Sequence, residues 1–178
     1  MREDIPDGAS LLIIVDAAHA VERTLLEQWI DDALPTSATV VGVVALSIAR
    51  TPETIDATPL LTHLTLDDST VVLPLRVVWT GNIARNAKPK IWDVMRGDSR
   101  RPSETRARRL LAKDRSAASC IAARPASLRA LRDKLRADGG DDSNQGVFAA
   151  FIADQAGIAL DIAERKLRGG RYKVPRRV

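Results

Sequence analysis

Three apolar, β-branched runs constrain this chain more than anything else in it: Leu11 to Val15, Thr39 to Ile48 and Thr70 to Trp79. A run that is apolar at consecutive positions, and not only at alternate ones, suits a strand covered on both faces. Between the first two runs the spacing changes to the helical period. From about Ala18 to Leu34, the residues Val21, Leu25, Leu26, Trp29, Ile30 and Leu34 fall on one stripe, while Glu22, Arg23, Glu27, Gln28 and Asp31 face outward. Pro35 ends that helix because it cannot continue the hydrogen-bond ladder. After Thr51-Pro52, the residues Leu60, Leu61 and Leu64 predict a short second helix. Pro74, inside the third run, points to an edge strand or a bulge. Strand, helix, strand, helix, strand is the order of a parallel sheet with right-handed crossovers. The fold class expected is therefore α/β: a small, mostly parallel sheet with a βαβαβ start, flanked by helices. A basic helical region with a long C-terminal helix follows it.

Past Gly81 the character changes. Asn82 to Arg101 is polar and basic with few apolar anchors, Ile91, Trp92, Val94 and Met95 among them, and reads as a loop or a short amphipathic turn. Pro102-Ser103-Glu104 marks a helix start with Ser103 as its cap. Ser116 to Ala123 is a candidate fourth strand. Pro125-Ala126-Ser127 opens a helix carrying Leu128, Leu131 and Leu135, closed by Gly139-Gly140. The last helix, Val147 to Arg168, presents Phe148, Phe151, Ile152, Ile158, Ile162 and Leu167 on a broad face before Gly169-Gly170. This divides the chain into an α/β domain (1–137), a linker (138–146), and a long helix with a basic exit (147–178). No internal repeat is present.

Composition narrows the partners. With 178 residues, 45% of them apolar, the chain can bury a real core, and with 3% aromatics that core rests on Val, Leu, Ile and Ala. Residues 1–80 hold 4 Lys and Arg against 12 Asp and Glu, a net of −8; residues 81–178 hold 23 against 11, a net of +12. Such asymmetry suits contact between the second half and an anion: nucleic acid, a phospholipid surface or an acidic carrier protein. It equally suits an acidic half packed near a basic one. Single-strand nucleic-acid readers interleave aromatics with their cations, and here, beyond Phe148 and Phe151 on the apolar face of the last helix, only Trp92 and Tyr172 are available, so base recognition is disfavoured. Cys120 stands alone in a short apolar stretch, as a small core residue does. The acidic start, Met1-Arg2-Glu3-Asp4, lacks the basic-then-apolar order of a signal peptide. No apolar run approaches the ~18–20 residues that span a bilayer, so membrane contact is expected to be peripheral.

Candidate chemistry is sparse. Asp16-Ala17-Ala18-His19 follows the first strand without a glycine, and no Gly-Lys-Ser/Thr motif is present, so no nucleotide cofactor is expected. Two isolated histidines and one cysteine cannot supply a closed metal site. His19 reads as a surface or capping residue. Arg100, Arg101, Arg106, Arg108 and Arg109 can hold phosphates, or their stems can simply cover apolar surface around Leu110 and Leu111.

Three stretches carry a family resemblance. They are the proline-containing strand Val71 to Trp79, the basic Arg100-Arg101-Pro102, and the long helix running into Arg171-Tyr172-Lys173-Val174-Pro175-Arg176. In this order they resemble the amino-terminal region of bacterial glycerol-3-phosphate acyltransferases, particularly the actinobacterial form. The resemblance implies transfer of a fatty acyl group from acyl-CoA or acyl carrier protein to glycerol 3-phosphate, giving lysophosphatidate at the cytoplasmic face of the membrane. It also implies that the catalytic histidine–four residues–aspartate block lies beyond the basic exit, in a catalytic domain this chain lacks. His63 and Asp68 have that bare spacing, but Thr62 and Thr65 stand where the family has Asn or Ser and then Ser, and the pair precedes the Trp79 strand. No catalytic residue is therefore assigned, and the chain alone is expected to be inactive. The family's Phe-Pro-Glu-Gly run is absent too. Arg171, Lys173, Arg176 and Arg177 are the expected binding residues, exposed beside the end of the long helix and near anionic lipid or the donor's phosphates. The alternative is a stand-alone α/β binding or regulatory module contacting nucleic acid through its basic half.

Overall fold

The computed structural model describes residues 5–48, 55–80 and 101–169. Strand β1 (Ser10–Asp16) runs parallel to both β2 (Thr39–Leu46) and β3 (Val71–Trp79). Strand β4 (Ala118–Ala122) pairs antiparallel with the second half of β3, and the two-residue β5 (Ala126–Ser127) pairs with its start. The order β2-β1-β3-β4 is a mixed, mostly parallel α/β sheet, as the alternation of periods predicts.

Two of the three apolar runs are covered on both faces. Leu11 to Val15 and all nine residues of β3 are buried. The expectation fails for the second run. β2 is the outer strand, with only Val44 and Leu46 buried, while Val40 and Val43 are 40% and 50% exposed. Its valines are the composition of a covered strand at a position the topology leaves at the rim. Pro74 reverses the opposite way, lying in an interior strand and not at an edge. It sits where β4 has ended and β5 has not begun, and its carbonyl accepts from Ala123 N at 2.9 Å. The missing proline N–H thus falls at a break in the antiparallel ladder, where it costs one bond and no more.

Helices cover both faces. Leu11, Ile13 and Val15 pack with Leu26 of α1 (Ala20–Ala33) and Ala107 of α2 (Glu104–Lys113). On the other face Leu12, Ile14 and Val72 meet Leu128 and Leu131 of α3 (Leu128–Ala137) and Phe148, Ile152, Ala156 and Leu160 of α4 (Gln145–Leu167). A 3-10 turn, Thr58–His63, adds Leu60. Ser127 and Asn144 cap α3 and α4 through their side chains, whereas Ser103 occupies the cap position of α2 without a side-chain bond. Gly139 closes α3 at φ +81°, a conformation only glycine adopts without strain.

Helix α4 corrects the reading that nothing in the chain is long enough to span a bilayer. Over 23 residues, with a mean hydropathy of 1.5 across its most apolar window, it is long and apolar enough by length and composition. Asp154, Gln155 and Asp161 interrupt the run in sequence but lie off its buried stripe. That stripe is in the core, over β3 and β4 and against the 3-10 turn.

Candidate functional site

Chain reversal between β1 and β3 creates a switch point. β1 leads to β2 on one side and the chain returns to β3 on the other, and in open α/β sheets ligands bind outside the carboxyl ends of strands at such a place. Asp16 ends β1 and is register-paired with Arg76 of β3. Both side chains point to the α4 face, and both residues are 5% exposed. Arg76 Nε donates to Asp16 Oδ2 at 2.6 Å, and Ile48 N donates to Asp16 Oδ1 at 2.9 Å. From α4, Asp161 Oδ1 and Glu164 Oε2 accept from Arg76 Nη1 at 2.7 and 3.3 Å. Arg168 extends the network, donating to Glu164 at 2.8 Å and to the Trp79 carbonyl at 3.5 Å. Burial alone would lower the Arg76 pKa, but the adjacent Asp16 charge and the bonds to Asp161 and Asp16 outweigh it and hold the guanidinium above its ordinary value.

The α1 face of the same strand ends carries a second network. Glu22, an outward residue by its sequence spacing, is buried at 7% exposure. Its Oε1 accepts from Trp79 Nε1 at 2.8 Å and its Oε2 from Ala18 N at 2.7 Å. His19 caps α1, accepting from Glu22 N at Nδ1 (3.4 Å), and its Nε2 lies 3.3 Å from the Pro102 carbonyl. The tautomer with its proton on Nε2 satisfies both contacts. The ring also tilts against Trp79, with centroids 6.5 Å apart.

These groups form a lock. Among the described residues, no buried side-chain nitrogen or oxygen lacks a hydrogen-bond partner, so none is left aimed at a ligand. Asp161, Glu164 and Arg168 of α4 stand at the carboxyl end of β3, bonded to Arg76 and to the Trp79 carbonyl. Among the described residues no group of three or more His, Cys, Asp and Glu side chains is placed to hold a metal ion.

The remaining candidates resolve similarly. His63 lies over Gly42 of β2, so close that a Cβ there would meet a ring carbon at 2.6 Å and a ring nitrogen at 2.8 Å. Asp68, its spacing partner, bonds Arg132 Nε at 3.0 Å instead. Cys120 faces α1, with Sγ 3.6 Å from the Leu25 carbonyl, and burial pushes its thiol up to about 11. Arg108 pairs with Glu104 one turn away, while Arg101 and Arg109 are exposed. Arg171, Lys173, Arg176 and Arg177, with Arg100, lie outside the described residues.

An open concavity remains, and sequence reasoning missed it. A groove of about 1760 Å³ wraps the β4 edge of the sheet. Its walls come from Trp29 and Leu34 on one side and Ile158 and Ile162 of α4 on the other, with the Cys120–Ser127 segment as its floor. Helical spacing puts Ile158 and Ile162 on the broad apolar stripe of α4, yet they are 48% and 61% exposed. The signal available was the width of that stripe, too broad for one sheet face to cover. No protein-family model matches the chain, and no solved structure matches it either.

Proposed function

We propose that this chain is the amino-terminal, non-catalytic region of a bacterial glycerol-3-phosphate acyltransferase, acting on acyl-CoA or acyl carrier protein and glycerol 3-phosphate through a catalytic domain it does not include. The identity rests on the sequence resemblance. The observation that supports a non-catalytic role is that, among the described residues, the titratable side chains near the switch point are engaged by their neighbours. His63 packs on Gly42 and Asp68 serves Arg132, while His19, whose Nε2 lies 3.5 Å from Glu22 Oε1, has both ring nitrogens engaged, one by Glu22 N and the other by the Pro102 carbonyl, so it is held as a cap and not presented to a hydroxyl. The aspartate and glutamate from α4 engage the Arg76 guanidinium beside the place where an α/β sheet ordinarily takes its ligand.

In this reading Arg171, Lys173, Arg176 and Arg177 contact the cytoplasmic face of an anionic membrane peripherally. Each cation near such a surface contributes ~1 kcal/mol, screened by salt. Two experiments test the proposal. Reading the coding DNA past the codon for Val178 should reveal an in-frame histidine–four residues–aspartate block, and an immediate stop codon overturns a shared polypeptide. Co-sedimentation with vesicles should show salt-sensitive binding to anionic but not neutral lipid, lost when the four cations are changed to Gln; equal binding to both refutes the membrane role.

A further inference from the structure

The floor of the groove is a sheet edge, β4, that no further described strand pairs. Thr80 N bonds Ala117 O at 2.8 Å and Ala123 N bonds Pro74 O at 2.9 Å, which sets the parity of the antiparallel ladder. Ser119 and Ile121 therefore turn their N–H and C=O groups toward β3. Ala118, Cys120 and Ala122 turn theirs outward, where no backbone bond from the described residues meets them.

Natural edges are blunted by lysine, proline, bulges or a covering element. Ala118-Ser119-Cys120-Ile121-Ala122 carries no charge and no proline. The edge is flanked on both sides by apolar walls, Trp29 and Leu34 against Ile158 and Ile162, placed to receive the two side-chain faces of a strand. Charge at the rim is one-sided: Arg124, Lys134 and Lys166 stand against the single carboxylate of Asp32 among the described lining residues. Self-pairing through a twofold axis would bring these cations together in duplicate. A strand with acidic ends would meet them favourably.

We propose that the β4 edge accepts an extended, alternately apolar segment of a polypeptide partner, flanked by acidic residues, as a further antiparallel or parallel strand of the sheet. Backbone bonds to Ala118, Cys120 and Ala122 supply affinity, and the two apolar walls with the cationic rim supply selectivity. This inference stands on the sheet edge and is independent of the acyltransferase reading.

The test uses the whole chain and a labelled peptide, Asp-Glu-Val-Ile-Val-Thr-Val-Glu-Asp, followed by fluorescence anisotropy and amide hydrogen exchange. Saturable binding is expected, with slowed exchange at the amides of Ala118, Cys120 and Ala122. Lys134→Glu with Lys166→Glu, and separately Ile162→Asp, should each weaken binding about tenfold or more. All three positions are exposed, so an unchanged thermal transition is expected and shows that the loss is at the groove. Equal binding of a lysine-flanked peptide, or binding without protection of those three amides, overturns the proposal. So does a peptide-free dimer in sedimentation equilibrium that protects the same amides, since the edge would then belong to a second copy.

Discussion

Arg76 illustrates how much a single buried charge depends on distant sequence. Its three carboxylate partners lie 60, 85 and 88 residues away, and its side chain is 6% exposed. Removing one member of a buried pair leaves the other charge desolvated, at a cost of about 3–5 kcal/mol. Arg76→Met should lower stability by that order in urea titration. Adding Asp16→Asn should recover a large part of it, and strict additivity of the two changes would show that the pair is not coupled. Cys120 gives a second, pH-dependent expectation. Its thiol is raised from 9.0 in the unfolded chain to about 11 in the fold, because burial disfavours the thiolate. Its contribution to stability is therefore whole below about pH 9 and lost as pH rises toward 11. Alkylation of the native protein should be slow at pH 8 and accelerate up to about pH 11, with denaturant abolishing the protection. Fast native labelling at pH 8 would contradict the burial.

At the scale of elements, the contact between the 3-10 turn and β2 is the sharpest prediction. Alanine is better than glycine in a strand by roughly 0.5–1 kcal/mol, but here its methyl would collide with the His63 ring at 2.6 Å. Gly42→Ala should destabilise by about 1–3 kcal/mol, as overpacking does. In a His63→Ala background the same change should become neutral or stabilising, and an unchanged penalty there would remove His63 from the contact. Helix α4 offers a cruder test: Phe148→Ala should cost about 3–5 kcal/mol in thermal or chemical unfolding. The fully buried ring also lies 4.3 Å under the Arg132 guanidinium, which adds a cation–π contribution to the loss. The strands and helices were legible because consecutive β-branched residues and a 3.6-residue stripe are local signals. Which strand lies at the rim was not, since β2 and β1 have similar composition and differ only in neighbours supplied from elsewhere. Glu22 escapes a sequence reading for the same reason. Its spacing places it off the main apolar stripe, and only Trp79, 57 residues on, gives its carboxylate a buried partner. The β4 edge left no mark in sequence, because openness is a property of what fails to pack beside a strand.

Viewed as a whole molecule, the chain is closed by its last described element. β1 and β2 are in place by residue 46 and the 3-10 turn packs on β2 soon after, but the core that holds Leu12, Ile14, Val44 and Leu46 is completed by α4, which lies over β3 and begins only at Gln145. The same helix carries Asp161 and Glu164 to the Arg76 guanidinium, so the polar lock and the apolar core are completed together. During synthesis at ~5–20 residues per second, the nascent chain therefore waits on the order of five to twenty seconds between making β2 and completing that core. Throughout that interval a β-branched sheet surface is available to wrong partners, including other nascent copies of itself. An arrangement that is secure once finished is thus vulnerable while being made, and the yield of folded protein in the cell depends on whatever shelters that surface until α4 arrives.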